Sequence, residues 1–221
     1  NWKLLIDPEL EFPEAYMRNE IVIENASLKE FLLDLVKNLG RNEISTASAI
    51  TKRIYQFCRY LTNFNFPGKS RKNIEHHYDI GGERGEKLYD IFLDTKHRLY
   101  SCAYWKEDTK SLEEAQQNKI DHIVKKLDIK HGQKILEVGC GWGGMAFEIA
   151  KQKNCEVTGI SLSKNQIKYC KQKAKDLSLD NQVNFDLIDY RKVKGQYDRI
   201  FSVGMFEHVG QKFYNTFFKS M

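Results

Sequence analysis

Apolar positions recur at helical spacing near the front of the chain and give way, further along, to short apolar runs separated by helical stretches. In "SLKEFLLDLVKNLG", Leu28, Leu32, Leu35 and Leu39 fall on one helix face. Ser27 and Glu30 stand in the capping-box relation ahead of it, and Gly40 ends the run. Ile50, Ile54, Phe57 and Leu61 predict a second helix over roughly 45–63. Later, Ser111 and Glu114 cap a helix running to about Leu127. "KILEVG" then reads as a buried strand stopped by glycine, "MAFEIAKQ" as a helix and "EVTGIS" as a strand. Ser163 opens the helix "SKNQIKYCKQKAKDL", "VNFDLI" is a strand and "YDRIFSVG" a fourth. Strands alternating with helices at this spacing predict an α/β fold with a doubly wound parallel sheet.

Composition adds an organisation to this pattern. The prolines, Pro8, Pro13 and Pro67, all lie early, and "FNFPGKSRKN" (64–73) reads as a linker. Residues 1–70 are therefore expected to form a small, mainly helical unit with its linker, and 71–221 the α/β domain. The net charge is +5, and all of the excess falls after residue 70. An excess that mild suits an anionic membrane surface or a solvated face, and no nucleic-acid partner is expected. Cys58, Cys102, Cys140, Cys155 and Cys170 are odd in number with no CxxC pairing, which predicts reduced thiols in a cytoplasm and no metal site. No apolar run approaches the ~18 residues of a membrane span.

The candidate chemistry gathers at the first strand. "KILEV" runs into "GCGWGG" (139–144) and then a helix, so the backbone there can turn tightly and approach a ligand at a helix N-terminus. The dinucleotide spacing GxGxxG is not met. With Glu137 two residues before Gly139, the segment resembles the acidic glycine turn of methyltransferases that use S-adenosylmethionine. Such folds usually carry Asp or Glu at the end of the second strand for the ribose hydroxyls, whereas this chain has Ser161; either the ribose is held differently, as by Gln166 reaching back from the next helix, or the generic methyltransferase pattern does not fully apply.

The segments "HHYDIGGERGEKLYDIFLD", "YSCAYW", "SLEEAQQNKID", "LEVGCGWGG", "GISLSKNQ", "DYR" and "YDRIFSVGMFEHVG" resemble, in order and spacing, the cyclopropane-fatty-acyl-phospholipid synthases and the related mycolic acid cyclopropane synthases. The resemblance covers about 71–221, and "EAYMRNEI" (14–21) is similar to the helical N-terminal domain of the bacterial phospholipid enzymes. It implies a Rossmann-like class I methyltransferase sheet, of which about four of seven strands precede Met221, so that the chain is expected to be truncated at its C-terminus. It also implies methyl transfer from S-adenosylmethionine to a cis double bond of a phospholipid acyl chain. A bicarbonate ion then takes a proton and the cyclopropane ring closes.

Carried over by motif, the resemblance places Tyr100 and Ser101 at the methionine end of the cofactor and Gly139, Cys140 and Gly141 around it, after Glu137. Ser161, Leu162 and Gln166 fall on the ribose and adenine side, with Asp189 and Tyr190 near the adenine. Cys102 and Glu207 match bicarbonate-holding positions, and the remaining His and Tyr of that cluster would lie beyond Met221. The implied partners are membrane phospholipids, met peripherally at the inner face of the cell membrane, and a homo-oligomer is compatible with the sequence. Two other readings stay open: a family methyltransferase leaving a methyl branch or using another acceptor, and a non-catalytic module that binds cofactor or membrane.

Overall fold

The computed structural model describes residues 8–39 and 83–221. The chain divides into two compact units, Asn1–Arg59 and Tyr60–Met221. The helix predicted over 45–63 and the linker predicted over 64–73 lie outside the described residues.

In the first unit, α1 (Pro8–Met17) and α2 (Leu28–Leu39) bring Phe12 and Phe31 into a stacked pair with centroids 5.4 Å apart. The predicted cap of α2 is present: Ser27 N–H donates to Glu30 Oε2 at 2.8 Å, and Glu30 N–H donates to Ser27 Oγ at 3.3 Å. Helix α1 was not anticipated from the apolar pattern, because Pro13 and scattered acidic residues break up any apolar stripe.

The second unit contains α3 (Glu83–Phe92), α4 (Leu112–Leu127), β1 (Lys134–Val138), α5 (Gly144–Lys153), β2 (Glu156–Ser161), α6 (Lys164–Asp176), β3 (Val183–Leu187), β4 (Arg199–Phe201) and α7 (Tyr214–Ser220). Ser111 and Ser163 cap α4 and α6 as their spacing predicts, accepting from Glu114 N–H and Gln166 N–H, each at 3.2 Å. The strands form a parallel sheet in the order β3-β2-β1-β4. The chain thus moves outward from β1 to β3 and then returns to the other side of β1. The crevice beyond the carboxyl ends of β1 and β4 is a topological switch point, where open α/β sheets bind ligands.

Alternation along β1 feeds two cores. Ile135 faces a layer with Ile120 and Val124 of α4, Met145 and Ile149 of α5, and Ile167 and Cys170 of α6. Leu136 and Val138 face the opposite layer, with Tyr190, Val209 and Phe217. Among the described residues no helix is long and apolar enough to cross a membrane.

The start of α5 is fixed by a close approach. A Cβ on Gly144 would lie 1.9 Å from the backbone oxygen of His97, so nothing larger than hydrogen fits between the helix and the segment leading to the cavity wall. Gly144→Ala is expected to destabilise the second unit by about 3 kcal/mol, read as a lowered midpoint in thermal or urea denaturation.

Candidate active site

A cavity of about 390 Å³ opens at the switch point. Every residue the sequence assigned to the cofactor lines it: Tyr100 and Ser101; Glu137, Gly139, Cys140 and Gly141; Ser161, Leu162 and Gln166; Asp189 and Tyr190. Cys102 and Glu207 do not. Both are exposed and neither belongs to the cavity wall, so the two positions assigned to an anion are not brought together with the rest.

Three glycines with positive φ, Gly139, Gly141 and Gly143, carry the chain from β1 into α5. Gly139 and Cys140 N–H both donate to Ile160 O, at 2.9 and 3.0 Å, which ties the turn to the end of β2. At Gly141, with φ +52°, an added Cβ would meet no protein atom within 4 Å. That open space adjoins the cavity, as a ligand cradle requires. Cys140 beneath the turn is inert: its hydrogen bond with Cys170, then burial, raise its thiol well above the ordinary range.

Glu137, one residue before the end of β1, is almost completely buried, and the sheet gives it no compensating cation at contact distance. Burial pushes its carboxyl up to about 8, against the pull of Lys119 and of the Ala146 amide near the start of α5. Its Oε2 has no hydrogen-bond partner. Trp142 Nε1 and Tyr190 Oη, on two other residues of the lining, are likewise without partners. Orphaned polar atoms of this kind are uncommon in a native interior and fit a site completed by a polar ligand.

At the end of β2, Ser161 is paired with the helix that follows. Ser161 Oγ donates to Gln166 Oε1 at 2.8 Å and accepts from Ser163 N–H at 3.1 Å. With its oxygen turned to Ser161, Gln166 presents its amide nitrogen as a donor, so the pair can serve hydroxyl groups in place of a carboxylate. Asp189 is gripped by Arg191, with Nε–Oδ1 at 2.8 Å and Nη2–Oδ2 at 2.6 Å. Burial alone would raise its carboxyl, but the Arg191 guanidinium and backbone amide outweigh that and leave it below the ordinary value.

The wall containing Tyr100 and Ser101 is held from α4. Gln116 Nε2 donates to Leu99 O at 3.3 Å and to Ser101 O at 3.1 Å, and Lys119 Nζ donates to Ser101 Oγ at 2.7 Å. Tyr100 packs edge-on against Tyr89 and Phe92, with centroids 5.4 and 5.7 Å away. Several lining residues escaped the sequence reading, among them Arg98, Trp142, Met205 and His208. Trp142 lies within the glycine turn, and Met205 and His208 within "GMFEHVG", so position in a recognised segment was the available signal. Arg98 carried none; its guanidinium carbon sits 4.2 Å from the Trp142 ring centroid and 4.8 Å from that of Tyr169.

A family model described as "Mycolic acid cyclopropane synthetase" matches residues 67–221. The cyclopropane-fatty-acyl-phospholipid synthase of Escherichia coli K12 is 43% identical over 157 residues, 70% of this chain and 38% of that protein. A probable fatty acid methyltransferase of Pseudomonas putida is 42% identical over 139 residues, 62% of this chain and 34% of that one. Among solved structures, mycolic acid cyclopropane synthase CmaA1 complexed with SAH and CTAB superposes with a TM-score of 0.63 at 34% identity, covering 68% of this chain and 51% of that one. The cyclopropane synthase MmaA2 from Mycobacterium tuberculosis gives a TM-score of 0.63 at 31% identity, over 71% and 52% of the two chains. The chain thus spans about half or less of the length of these relatives. The fold is that of class I S-adenosylmethionine-dependent methyltransferases.

Two variants separate the cost of this site from its use. Glu137 holds a proton more tightly folded than unfolded, so its contribution to stability falls as pH rises from 4.5 towards about 8. Glu137→Gln mimics the protonated side chain. Its melting temperature should match the parent near pH 5 and exceed it by several degrees near pH 8, while its affinity for S-adenosylhomocysteine, measured by calorimetry, falls at least tenfold. Gly141→Ala should lose only about 1 kcal/mol of stability to its left-handed φ, yet lose most of that affinity because the methyl group enters the open cradle.

Proposed function

The chain belongs to the mycolic acid cyclopropane synthetase family, and from that premise we propose that it takes part in transferring the methyl group of S-adenosylmethionine to a cis double bond of a phospholipid acyl chain, with closure to a cyclopropane ring. The observation that carries this reading is the cavity at the switch point, with the Glu137 carboxyl buried and half-unpaired beside an open glycine cradle. A ligand with an ammonium and a sulfonium supplies the positive charge that such a site lacks.

When bound, S-adenosylmethionine provides an electrophilic methyl on sulfur. Glu137 would accept from its ammonium group, the Ser161–Gln166 pair would hold the ribose, and Gly141 would let the backbone approach. Tyr100 is half-exposed at the wall and packs on Phe92, which is itself exposed, as are Leu88 and Ile91 on α3. This apolar rim suits an acyl chain arriving from a membrane surface. The cofactor's methyl would pass from sulfur to the alkene, the S–CH3 bond breaking as the C–CH3 bond forms, and the aromatic face of Tyr100 would stabilise the carbocation left on the chain. Loss of a proton from the transferred methyl then releases the electron pair that closes the ring.

The base that takes this proton is assigned to bicarbonate, held by Cys102 and Glu207, on the strength of the matched motifs. A second reading comes from His208, which lines the cavity where its neighbour Glu207 does not: the imidazole would itself take the proton. Turnover measured in bicarbonate-depleted buffer separates them. On the bicarbonate reading, depletion lowers the rate at least tenfold, added bicarbonate restores it, and His208→Ala keeps that response. Turnover indifferent to bicarbonate but abolished in His208→Ala would assign the imidazole instead.

The acceptor is tested by incubating the protein with S-adenosylmethionine and vesicles of cis-unsaturated phospholipid. A product one CH2 heavier, with olefinic proton signals replaced by upfield cyclopropane signals, supports ring closure. A retained olefin or a branched methyl would identify the methyl-branching reaction, and cofactor binding without any lipid product would identify a non-catalytic module.

A further inference from the structure

Lys119 is 6% exposed and lies in the middle of α4, on the face turned to the cavity wall. Lysine is seldom buried without a partner of opposite charge, because desolvating an ammonium is costly. Here its ammonium is hydrogen-bonded to a neutral residue: Nζ donates to Ser101 Oγ at 2.7 Å and to Ser101 O at 3.2 Å. The charged and titratable groups that face it are Asp94 and Cys102, on the segment that carries the wall, and Glu137 of β1. One turn earlier on the same helix, Gln116 donates to the carbonyls of Leu99 and Ser101. Were filling space the only requirement, an apolar side chain of similar length would pack there at lower cost.

Resting on the cofactor reading above, we infer that Lys119 is a positioning residue: it clamps Ser101 from α4 so that the Tyr100–Ser101 wall is held against the methionine end of the cofactor. Gln116 fixes the backbone of the segment, while Lys119 alone reaches both the hydroxyl and the carbonyl of Ser101. The Lys119 ammonium also offsets part of the cost of burying Glu137, so one side chain serves both the position of the wall and the charge of the site. Burial brings that ammonium down to about 8, with Asp94, Cys102 and Glu137 opposing the shift, so its charge is sensitive to the same pH range as Glu137.

The test is a double-mutant cycle on affinity for S-adenosylhomocysteine, measured calorimetrically with the whole chain, with melting temperature followed in parallel. Lys119→Met should weaken binding at least tenfold and Ser101→Ala several-fold. The double variant should bind no worse than Lys119→Met alone, because both substitutions break the same contact. Lys119→Gln, which keeps a donor, should recover part of the loss. If Lys119→Met does not fold, as judged by circular dichroism, Lys119→Gln and Ser101→Ala run the same cycle. Additive losses, or a lowered melting temperature with unchanged affinity, would show that Lys119 only supports the fold and would overturn the proposal. A parent chain that binds S-adenosylhomocysteine while Lys119→Met binds it equally overturns the proposal alone; a parent chain that does not bind it overturns the cofactor reading as well.

Discussion

The buried carboxyl of Glu137 is the constraint around which this site is arranged. It is the penultimate residue of the central strand β1, whose neighbours on both sides are parallel strands, and it lines the crevice at the switch point. A carboxyl so placed stays protonated or finds positive charge. The protein offers only partial compensation: the Ala146 amide near the start of α5, and the Lys119 ammonium at longer range. What remains is an unmatched oxygen and a raised pKa. The fold tolerates this because the two apolar layers packed on either face of β1 fix the strand independently of its last charged residue.

That arrangement explains why the wall opposite is tied so firmly to a helix. Residues 99–101 have no strand to pair with, so their carbonyls would face solvent or an empty cavity without outside donors. Gln116 and Lys119 provide those donors from a helix whose own position is set by Ile120 and Val124 in the core. Asp94 completes the segment from the other end, accepting from the N–H groups of His97 and Leu99. The wall is therefore irregular in conformation yet fixed in place, a combination suited to shaping a cavity without a sheet behind it.

Much of this was legible in the sequence where the determining contacts are local. The caps at Ser27, Ser111 and Ser163 depend on partners three residues away, and all three are present. Strand β1 is a short, mainly apolar run ended by glycine, and its order relative to β2 and β3 follows from the alternation of elements. The fourth strand is shorter than "YDRIFSVG" suggested, only Arg199–Phe201, because pairing with β1 stops where the chain turns to form the cavity rim. What the sequence could not supply was the pairing of charges across elements. Lys119 reads as one more lysine on an amphipathic helix and Arg98 as nothing in particular; each acquires its role from partners that folding brings near, Ser101 for the one and the Trp142 and Tyr169 rings for the other. Motif matching placed Cys102 and Glu207 in the site, and the structure leaves both exposed at its margin. A motif records a residue's place along the chain, whereas the direction of its side chain depends on the loop that carries it.

The two carboxylates of the cavity show how environment divides labour between like groups. Asp189 has both oxygens occupied by Arg191 and is held in its charged form, so its remaining lone pairs can accept from neutral donors without attracting further positive charge. Glu137 has one oxygen unmatched and a proton held only until positive charge arrives. On the proposed reading these properties match the two ends of S-adenosylmethionine. The adenine offers neutral N–H donors, which an already neutralised Asp189 can accept. The methionine end brings an ammonium and a sulfonium, which lower the Glu137 pKa and drive its proton out as they bind. The polarity of the cavity would then orient the ligand before any contact with the acyl chain. The ribose between them needs no third carboxylate, because a hydroxyl–amide pair adds no charge that would blur the difference between the ends. Ser161 in place of an acid is thus consistent with a site that keeps its uncompensated charge at the end where the methyl group is transferred.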